Sequence, residues 1–254
     1  MTSDMAAERA ARHVELALAY RLFAALHWGD LGDGHITARD PERLDSFWVL
    51  RAGVSFDRAT VDDLVLIGPD GIVVDGAASA TTPTSTNLKF SIPKYNKTAF
   101  HIHWPIHEAR PDVVAAAHTH THWGTPFAAE RRLLQPISQE ACAFHDNHSL
   151  FDDDEVNILG LDGGKRIAAA LGDRQAVILA NHGLLTVGGS VAEAVGAFVM
   201  MERVCEVHLK ASRALPISPE AARRAKQGLG IPDSFRDAFD YLVARHLPDT
   251  DTEH

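Results

Sequence analysis

Cysteine is scarce in this sequence: its 254 residues include only Cys142 and Cys205. A disulfide framework needs more thiols than this, so we expect both to be buried thiols in a reducing cytosol. Apolar runs that approach the length of a membrane span are absent too. The N-terminal segment MTSDMAAERA has neither the cationic nor the apolar region of a secretory signal. These absences predict a cytoplasmic protein with no membrane partner.

An excess of positive charge is also missing, since 24 basic residues stand against 34 acidic ones and the net charge is −10. A surface with this balance does not neutralise a phosphate backbone, so nucleic acid is not an expected partner. What the sequence has in abundance is histidine. It contains fifteen, and eight of them fall between His101 and His148. Because histidine is the commonest metal ligand and titrates near neutrality, this local crowding points towards a site.

The pattern along the chain predicts a single domain over residues 1–254, because no repeat or low-complexity linker divides it. Helices and strands alternate in a way typical of an α/β or α+β domain. The predicted helices cover about 6–28, 98–109, 165–172, 190–214 and 233–246, and the predicted strands cover 35–39, 47–51, 64–67, 72–74, 113–120, 176–180 and 184–188. Between them, the polar residues 76–98 are expected to form an exposed loop that acts as a lid, and 249–254 to fray.

One short segment, AAAHTHTHWG at 115–124, places three histidines at alternate positions directly after small apolar residues. Side chains alternate across a strand, so His118, His120 and His122 would share one face if the strand continued that far. The following WGTP interrupts a strand, and His122 is therefore not expected to reach the same cation. Taken alone, a histidine pair on a strand is more often a hydrogen-bonded polar edge than a set of ligands.

A third imidazole comes from the segment AVILANHGLLTVG at 176–188. His182 lies in an Asn-His-Gly connection between two apolar strands, and Gly183 permits a tight bend or a positive φ there. Zinc takes about four ligands, and imidazole also suits iron, nickel and cobalt. Each histidine segment directly follows a buried strand. Their joint presence favours a metal site over two unrelated polar edges.

Four segments, in this order, resemble the class II aldolase/adducin family. They are the glycine-rich GDLGDGHITARDP, the strand-turn-strand DLVLIGPDGIVVDG, the helix exit and strand HEARPDVVAAAHTH, and AVILANHGLLTVGGSVAEA. The resemblance extends from about residue 13 to 214. It implies an α/β fold of three layers, α/β/α, built on a central and mainly antiparallel sheet, with 215–248 as a C-terminal helical extension.

The same resemblance assigns roles to the histidines. It implies that His118, His120 and His182 bind one divalent metal ion per chain, with Zn²⁺ as the first expectation and Fe²⁺ or Mn²⁺ as alternatives. It also implies a small-molecule substrate and a homotetramer whose sites lie near subunit interfaces. His122 has no counterpart among the implied ligands.

The sequence departs from the aldolases of this family at the position of their catalytic glutamate, which falls on Ala99. An alanine can neither bind a cation nor move a proton. Lys97 and Thr98 fall where sugar-phosphate aldolases have phosphate-holding serines, so they keep the capacity to bind an anionic substrate. His35 stands where those aldolases have asparagine. These departures place the chain nearer the adducin-like branch, with His35, Thr98 and Lys97 as candidate substrate contacts.

Several residues are candidates to replace the missing glutamate. His103 lies one helical turn after Ala99, on the same face, and would act as an acid–base group near the metal; the alternative is a packing histidine in the core. Tyr95 is a candidate proton donor. His145 and His148 lie in the polar segment FHDNHS, for which a solvated loop is the first expectation and a substrate contact through His145 the alternative.

A three-histidine cation with open positions predicts a lyase that cleaves a C–C bond of a small hydroxy or keto carboxylate through a metal-stabilised enediolate. Decarboxylation and retro-aldol cleavage share that species, and the loss of the glutamate favours decarboxylation, which needs no base to form its carbanion. The first alternative is a non-haem Fe(II) oxygenase/decarboxylase that acts on an aromatic keto acid. The second is a non-enzymatic, adducin-like assembly module, for which the intact set of three histidines is unexpected.

Overall fold

The structure is a computed structural model, and it describes residues 3–76 and 94–248. Most of the segment 76–98, predicted to be an exposed lid, lies outside the described residues, and so does the terminal segment 249–254. Within the described residues, no helix is long and apolar enough to cross a membrane.

The described residues contain seven α-helices and eight strands. The helices are α1 Ser3–Ala25, α2 Lys97–Ala109, α3 Gly124–Ala129, α4 Leu161–Leu171, α5 Val191–Lys210, α6 Pro219–Leu229 and α7 Pro232–His246. The strands are β1 His35–Arg39, β2 Phe47–Leu50, β3 Leu64–Ile67, β4 Val73–Gly76, β5 Ala115–Thr119, β6 His148–Phe151, β7 Ala176–Leu179 and β8 Gly183–Gly188. Single turns of 3₁₀-helix cover 56–58, 61–63 and 140–144.

All eight strands belong to one sheet in the order β4-β3-β2-β1-β5-β8-β7-β6. Every neighbouring pair is antiparallel except β6 and β7, which are parallel. The strand β5 lies in the middle of the sheet, between β1 and β8, and the register places His35 directly opposite His118. The predicted mainly antiparallel central sheet is confirmed.

Helices cover both faces of the sheet and complete the predicted three layers. Helices α1, α5 and α7 pack on one face, where Leu16, Phe198 and Phe235 join the largest core cluster with strand residues such as Ile36. Helices α2 and α4 pack on the other face in two smaller clusters. Side chains alternate along β1, so Ile36 and Ala38 enter the first core while His35 and Thr37 face α2.

Helix α2, which borders the candidate site, is fixed at both ends. The Asn96 side chain accepts a hydrogen bond from the backbone N–H of Thr98 and so caps its first turn. At the other end, the buried Arg39 guanidinium donates to the carbonyls of His107 and Arg110, which have no partners inside the helix. This double anchoring holds one face of α2 against β1.

Three elements were not predicted. The short helix α3 begins within the segment WGTP, which was expected only to interrupt a strand. The segment 144–149, expected to be a solvated loop, leads into strand β6, and His148 is buried there. The two helices expected at the C-terminal end, about 190–214 and 233–246, are present as α5 and α7, and the unpredicted helix α6 lies between them. Ser218 caps α6 and Pro219 starts it, but its apolar side consists of small alanines with a single leucine, and only Ala222 is buried.

Candidate metal centre

Three strand ends meet at the candidate site. His118 is the fourth residue of β5, His120 follows the last residue of that strand, and His182 lies in the connection between β7 and β8. Since β8 pairs with β5, the connection before β8 lies beside the end of β5. Residues more than sixty positions apart in the chain thus become neighbours.

The three imidazoles converge as predicted. One ring nitrogen of each histidine lies within 4.8 Å of those of the other two, and these are the one group of metal-ligating side chains found among the described residues. The ring centroids of His118 and His182 are 4.8 Å apart, and those of His120 and His182 are 5.0 Å apart. His122 is exposed to solvent and is not part of the group.

The backbone conformation that projects His182 differs from the expected one. The residue with a positive φ is Asn181, at 56°, rather than Gly183, and the N–H of His182 closes the turn on the Leu179 carbonyl. Gly183 is needed for a different reason: a Cβ atom there would lie 3.1 Å from the Thr119 carbonyl oxygen. The small residue lets β8 approach β5 closely at the site.

The contacts of two imidazoles indicate which nitrogen is free to bind a cation. His118 Nδ1 lies 2.8 Å from the Leu184 carbonyl oxygen, which only accepts hydrogen bonds, so Nδ1 of His118 carries the proton and Nε2 keeps its lone pair. His120 Nδ1 lies 3.2 Å from a carboxylate oxygen of Asp33, an ion-pair contact that favours the same arrangement in the second ring. A metal-binding histidine usually donates a hydrogen bond from its other ring nitrogen to a carbonyl or a carboxylate. The residues therefore fit a divalent metal ion.

The electrostatics of the site also keep the rings of His118 and His182 neutral. Burial, followed by the neighbouring imidazoles His182, His35 and His120, holds the pKa of His118 well below its usual value. Burial and the nearby His120 lower the pKa of His182 to about 4. Only a neutral imidazole has a lone pair to offer a cation, so the lowered pKa values favour metal binding near pH 7.

A cavity of about 180 Å³ opens beside the three histidines. Its lining also includes Asp33, Gly34, His35, Asn96, Thr98, Ile102, Asn157 and Ile158. None of these described lining residues is a lysine or an arginine. Among the described residues, an anionic ligand in this cavity has no positive side chain to pair with, and a bound cation would supply positive charge.

The structure brings some of the predicted site residues to this cavity and leaves others away from it. His35 and Thr98 line it. His103 is fully buried behind His35, with Nε2 at 3.1 Å from His35 Nδ1. Lys97 is exposed, and its side chain is not part of the lining. Ala99, at the position of the family glutamate, is fully buried in the core.

Tyr95 and His145 are not brought to the cavity. The Tyr95 hydroxyl donates to the Gly71 carbonyl at 2.7 Å. His145 lies after a 3₁₀ turn, with Nε2 at 3.4 Å from the Asp146 carboxylate. Neither residue belongs to the described lining, so substrate contacts through them have no support in this arrangement.

Three polar residues of the cavity were missed in the sequence. Asp33 supports His120, and Asn96 and Asn157 line the cavity from two different loops. The signal for Asp33 was weak: a carboxylate often supports a metal-binding histidine, and Asp33 lies in the glycine-rich loop before β1. The two asparagines had no such signal, because only the fold brings their loops to β5.

A buried carboxylate on α5 holds the turn that carries His120. Glu202 accepts a hydrogen bond from the Thr121 hydroxyl at 2.5 Å and from the backbone N–H groups of Trp123 and Gly124 at 2.9 and 2.7 Å. Burial raises the pKa of this carboxyl, while the three hydrogen bonds oppose the rise. The chain directly after His120 is therefore tied to a helix of the main core.

A family model, described as the Class II Aldolase and Adducin N-terminal domain, matches residues 14–209. The chain belongs to this family. The match includes all three histidines of the candidate metal centre, the position of Ala99 and the whole of the central sheet.

Individual relatives agree with this assignment. The chain is 38% identical over 218 residues, which are 84% of this chain and 74% of the relative, to a Streptomyces roseochromogenus protein named 4-hydroxy-3-prenylphenylpyruvate oxygenase/4-hydroxy-3-prenylbenzoate synthase. It is 38% identical, over 84% of this chain and 76% of the relative, to Decarboxylase NovR of Streptomyces niveus. Rat alpha-adducin is 34% identical over 77% of this chain, but only 25% of the adducin is covered.

The solved structures support the same family. An L-fuculose 1-phosphate aldolase from Glaciozyma antarctica superposes with a TM-score of 0.83 at 32% identity, covering 96% of this chain and 92% of the aldolase. An aldolase II superfamily protein from Pseudomonas syringae superposes with a TM-score of 0.79 at 30% identity, covering 93% of both chains. The class II aldolase-like fold expected from the sequence is thereby confirmed.

Proposed function

We propose that this chain is a divalent-metal-dependent lyase that cleaves a C–C bond of a small hydroxy or keto carboxylate. The observation that carries the proposal is the convergence of His118, His120 and His182 at the edge of a cavity. His118 keeps its Nε2 lone pair because its Nδ1 donates a hydrogen bond to the Leu184 carbonyl, and the Asp33 carboxylate beside His120 Nδ1 favours the same arrangement in that ring. A divalent ion held there would act as a Lewis acid that stabilises negative charge developing on the substrate.

The polarity of the cavity supports a carboxylate or hydroxyl ligand. Asn96, Thr98 and Asn157 offer amide and hydroxyl groups for hydrogen bonds, and Ile102 and Ile158 exclude water from one side. Since the described lining has no lysine or arginine, the charge of a carboxylate would be balanced by the cation. A phosphate carries a larger negative charge, which one cation would balance less completely. A sugar phosphate is therefore not the proposed substrate.

The buried alanine at the glutamate position supports decarboxylation over retro-aldol cleavage. Retro-aldol cleavage needs a group to remove a hydroxyl proton, and Ala99 cannot do so. Decarboxylation forms its carbanion as carbon dioxide leaves, without a base. A relative that is named a decarboxylase agrees with this preference.

A second candidate function is an Fe(II)-dependent oxygenase/decarboxylase that acts on an aromatic keto acid. The specific observation in its favour is the name of the 38% identical Streptomyces relative, which describes an oxygenase of a prenylated phenylpyruvate. Three histidines that leave open positions on the ion also suit iron chemistry with dioxygen. A non-enzymatic assembly role, as in an adducin, ranks last because the metal-ligating set is complete.

The two enzyme functions are distinguished by their need for oxygen. The full-length chain is loaded with Zn²⁺, Mn²⁺ or, under argon, Fe²⁺, and a panel of 2-hydroxy and 2-keto acids is screened for release of carbon dioxide with and without oxygen. The lyase predicts oxygen-independent release, and the oxygenase predicts turnover only with Fe²⁺ and oxygen uptake. No turnover with any metal, by a chain that binds metal, would contradict both enzyme proposals.

A His118→Ala variant and a His122→Ala variant provide the matched controls for that screen. His118 belongs to the converging group, whereas His122 lies on the same segment but outside it. We expect the first variant to lose turnover by at least about a hundredfold and the second to keep it. Equal activity of both variants would show that turnover does not depend on this site.

We further propose a homotetramer with its sites near the subunit interfaces, on the basis of membership of the family. We also propose a cytoplasmic location, with which two buried free cysteines agree.

A further inference from the structure

A second cavity, of about 150 Å³, adjoins the cavity beside the three histidines. Gly34, His35 and Asn96 line both, so the two cavities share a wall. The rest of its described lining comes mainly from α1, from the end of β2 with the loop that follows, and from the 3₁₀ turn at 56–58. We call the cavity beside the histidines the first cavity and this one the second cavity.

The two cavities lie side by side along one end of the sheet. The first lies where β5 ends and β1 begins, at the paired residues His118 and His35. Strand β2 is antiparallel to β1, so its last residue, Leu50, lies at the same end of the sheet and lines the second cavity. The cavities are therefore offset by about one strand spacing, roughly 5 Å. A single carbon atom between a hydroxy acid and a ring bridges such an offset.

The polar side chains that line only the second cavity already have partners in the chain. Among the described residues these are Tyr20 and Arg51. The Tyr20 hydroxyl donates to the Ile36 carbonyl at 2.8 Å and accepts from the Ile36 N–H at 2.9 Å. The Arg51 guanidinium is paired with the Asp63 carboxylate at 2.7 Å. A ligand group bound here therefore needs no polar atoms of its own, in contrast to a group beside the three imidazoles.

Apolar and aromatic groups form much of the remaining surface of the second cavity. They belong to Val49, Leu50, Ala52, Val54 and Phe56. The rings of Tyr20 and Phe56 pack edge to face, with centroids 4.7 Å apart. A third ring placed against this pair buries apolar area and gains contacts of the same kind. The volume also suits a ring, since an apolar cavity of about 150 Å³ in another protein binds benzene.

We propose that the second cavity binds an aromatic ring of the substrate, while the carboxylate and the hydroxyl or keto oxygen of the same molecule lie at the three histidines. The inference rests on the proposed metal-dependent function and narrows its substrate class to 3-aryl derivatives of 2-hydroxy or 2-keto acids. Ala52 and Val54 determine specificity for the size of the ring, because both line the second cavity and neither lines the first.

Three acids that share a 2-hydroxy carboxylate test what the second cavity takes. Lactate has a methyl group, 3-phenyllactate adds a ring to it, and malate adds a second carboxylate. Their affinities for the full-length, cobalt-loaded chain are measured from the visible absorption of Co²⁺. We expect 3-phenyllactate to bind at least about tenfold more tightly than lactate, because its ring leaves water for an apolar cavity. A smaller preference would overturn the inference, and so would tighter binding of malate than of 3-phenyllactate.

Filling the second cavity should remove the preference for the ring. Val54→Phe and Ala52→Phe add bulk from two positions of the lining. Val61→Phe is the matched control, since Val61 is 41% exposed and lies outside both described linings. We expect the two filling variants to bind lactate within about twofold of the wild type and to lose the preference for 3-phenyllactate, and Val61→Phe to keep it. Equal weakening of both acids in both filling variants, or a preference retained by both, would overturn the inference.

A bromobenzene soak locates the ring site without the metal. Crystals of the full-length chain, treated with a chelator, are soaked, and the anomalous scattering of bromine should give a peak beside Phe56 in the second cavity. No peak there would overturn the inference. If the chain binds no Co²⁺, the proposed function fails, and the bromine peak still decides whether the cavity takes a ring. If Co²⁺ and lactate bind but the ring preference and the peak are both missing, the inference fails and the proposed function remains.

Discussion

Asp33, in the loop before β1, contacts one of the three converging histidines. Its carboxylate lies 3.2 Å from His120 Nδ1, and His120 is the most exposed of the three converging histidines. An exposed ring that loses this partner can rotate and can move its proton to Nε2. We therefore expect Asp33→Ala to weaken Zn²⁺ binding by about ten- to a hundredfold, measured by competition with a chelating dye.

The matched control for Asp33 lies three residues earlier in the same loop. Asp30 is exposed and belongs neither to the converging group nor to the described cavity lining, so Asp30→Ala should change the loop charge equally and leave the affinity within about twofold. An equal loss of affinity in both variants would indicate a general effect of negative charge, and the positioning role of Asp33 would be wrong.

Gly34 is the residue that lets the same loop lie against β5. Its φ is +90°, and an added Cβ would lie 2.4 Å from the Thr119 side chain and 2.6 Å from the His118 carbonyl oxygen. We expect Gly34→Ala to lower the free energy of unfolding by roughly 3 kcal/mol, from backbone strain and overlap together. Urea denaturation measures this change.

Gly32 separates the two causes, because its φ is +72° but no atom lies within 4 Å of an added Cβ. Gly32→Ala should therefore cost only about 1 kcal/mol, the strain of a left-handed alanine. If Gly32→Ala and Gly34→Ala lower the free energy of unfolding equally, the close approach of Gly34 to β5 does not contribute to stability.

At this scale the sequence predicts the converging histidines better than the residues that support them. His118, His120 and His182 were singled out because each follows a run of buried apolar residues. The pairing of His35 with His118 was not found, because it depends on the register of β1 against β5, and residues eighty positions apart carry no local signal of it.

At the scale of secondary-structure elements, two buried histidines bind the backbone of the segment that precedes the 3₁₀ turn at 140–144. His148 of β6 accepts a hydrogen bond from the Leu134 N–H at 2.9 Å, and His208 of α5 accepts one from the Gln135 N–H at 2.9 Å. Each ring donates its Nδ1 proton to a carbonyl of its own segment. Both rings can accept these bonds only while they are neutral.

This arrangement predicts a loss of stability in mild acid. Burial lowers the pKa of His148 in the folded state, whereas an unfolded histidine binds a proton near pH 6.5. Below that pH protonation stabilises the unfolded chain, so the free energy of unfolding falls from pH 7.5 to 5.5. His148→Gln cannot titrate and should show a fall smaller by about 1 kcal/mol. His122→Gln, at an exposed position, should fall like the wild type.

The prediction for His148 is checked by urea denaturation at both pH values. A variant His148→Gln with the full pH dependence of the wild type would mean that this imidazole is not held neutral in the folded chain.

The elements themselves were largely predictable, and the exceptions have physical reasons. Strands such as 176–179 and 183–188 are continuous apolar runs, which the sequence shows plainly. Strand β6 reads HSLF after a polar segment, and its partner β7 pairs with it only in parallel, after a long connection. The apolar stripe of helix α6 is made of alanines and a single leucine, and only Ala222 is buried, so its signal in the sequence is weak.

At the scale of the whole molecule, membership of the family predicts assembly of four chains. A mass of 27.6 kDa per chain gives about 110 kDa for a tetramer, as 4 × 27.6. Light scattering coupled to size-exclusion chromatography measures it directly. A single species near the mass of one chain would contradict the prediction and would place the site on a monomer.

The central claim is that one divalent ion is held by three imidazoles from two segments of the chain. Elemental analysis of the full-length chain, purified without chelator, tests it most directly. We predict about one transition-metal ion per chain in the wild type and in His122→Ala, and less than about a fifth of that in His118→Ala, His120→Ala and His182→Ala. Unchanged metal content in all three of these variants, or no metal in the wild type after incubation with Zn²⁺, Mn²⁺ or Fe²⁺, would contradict the claim.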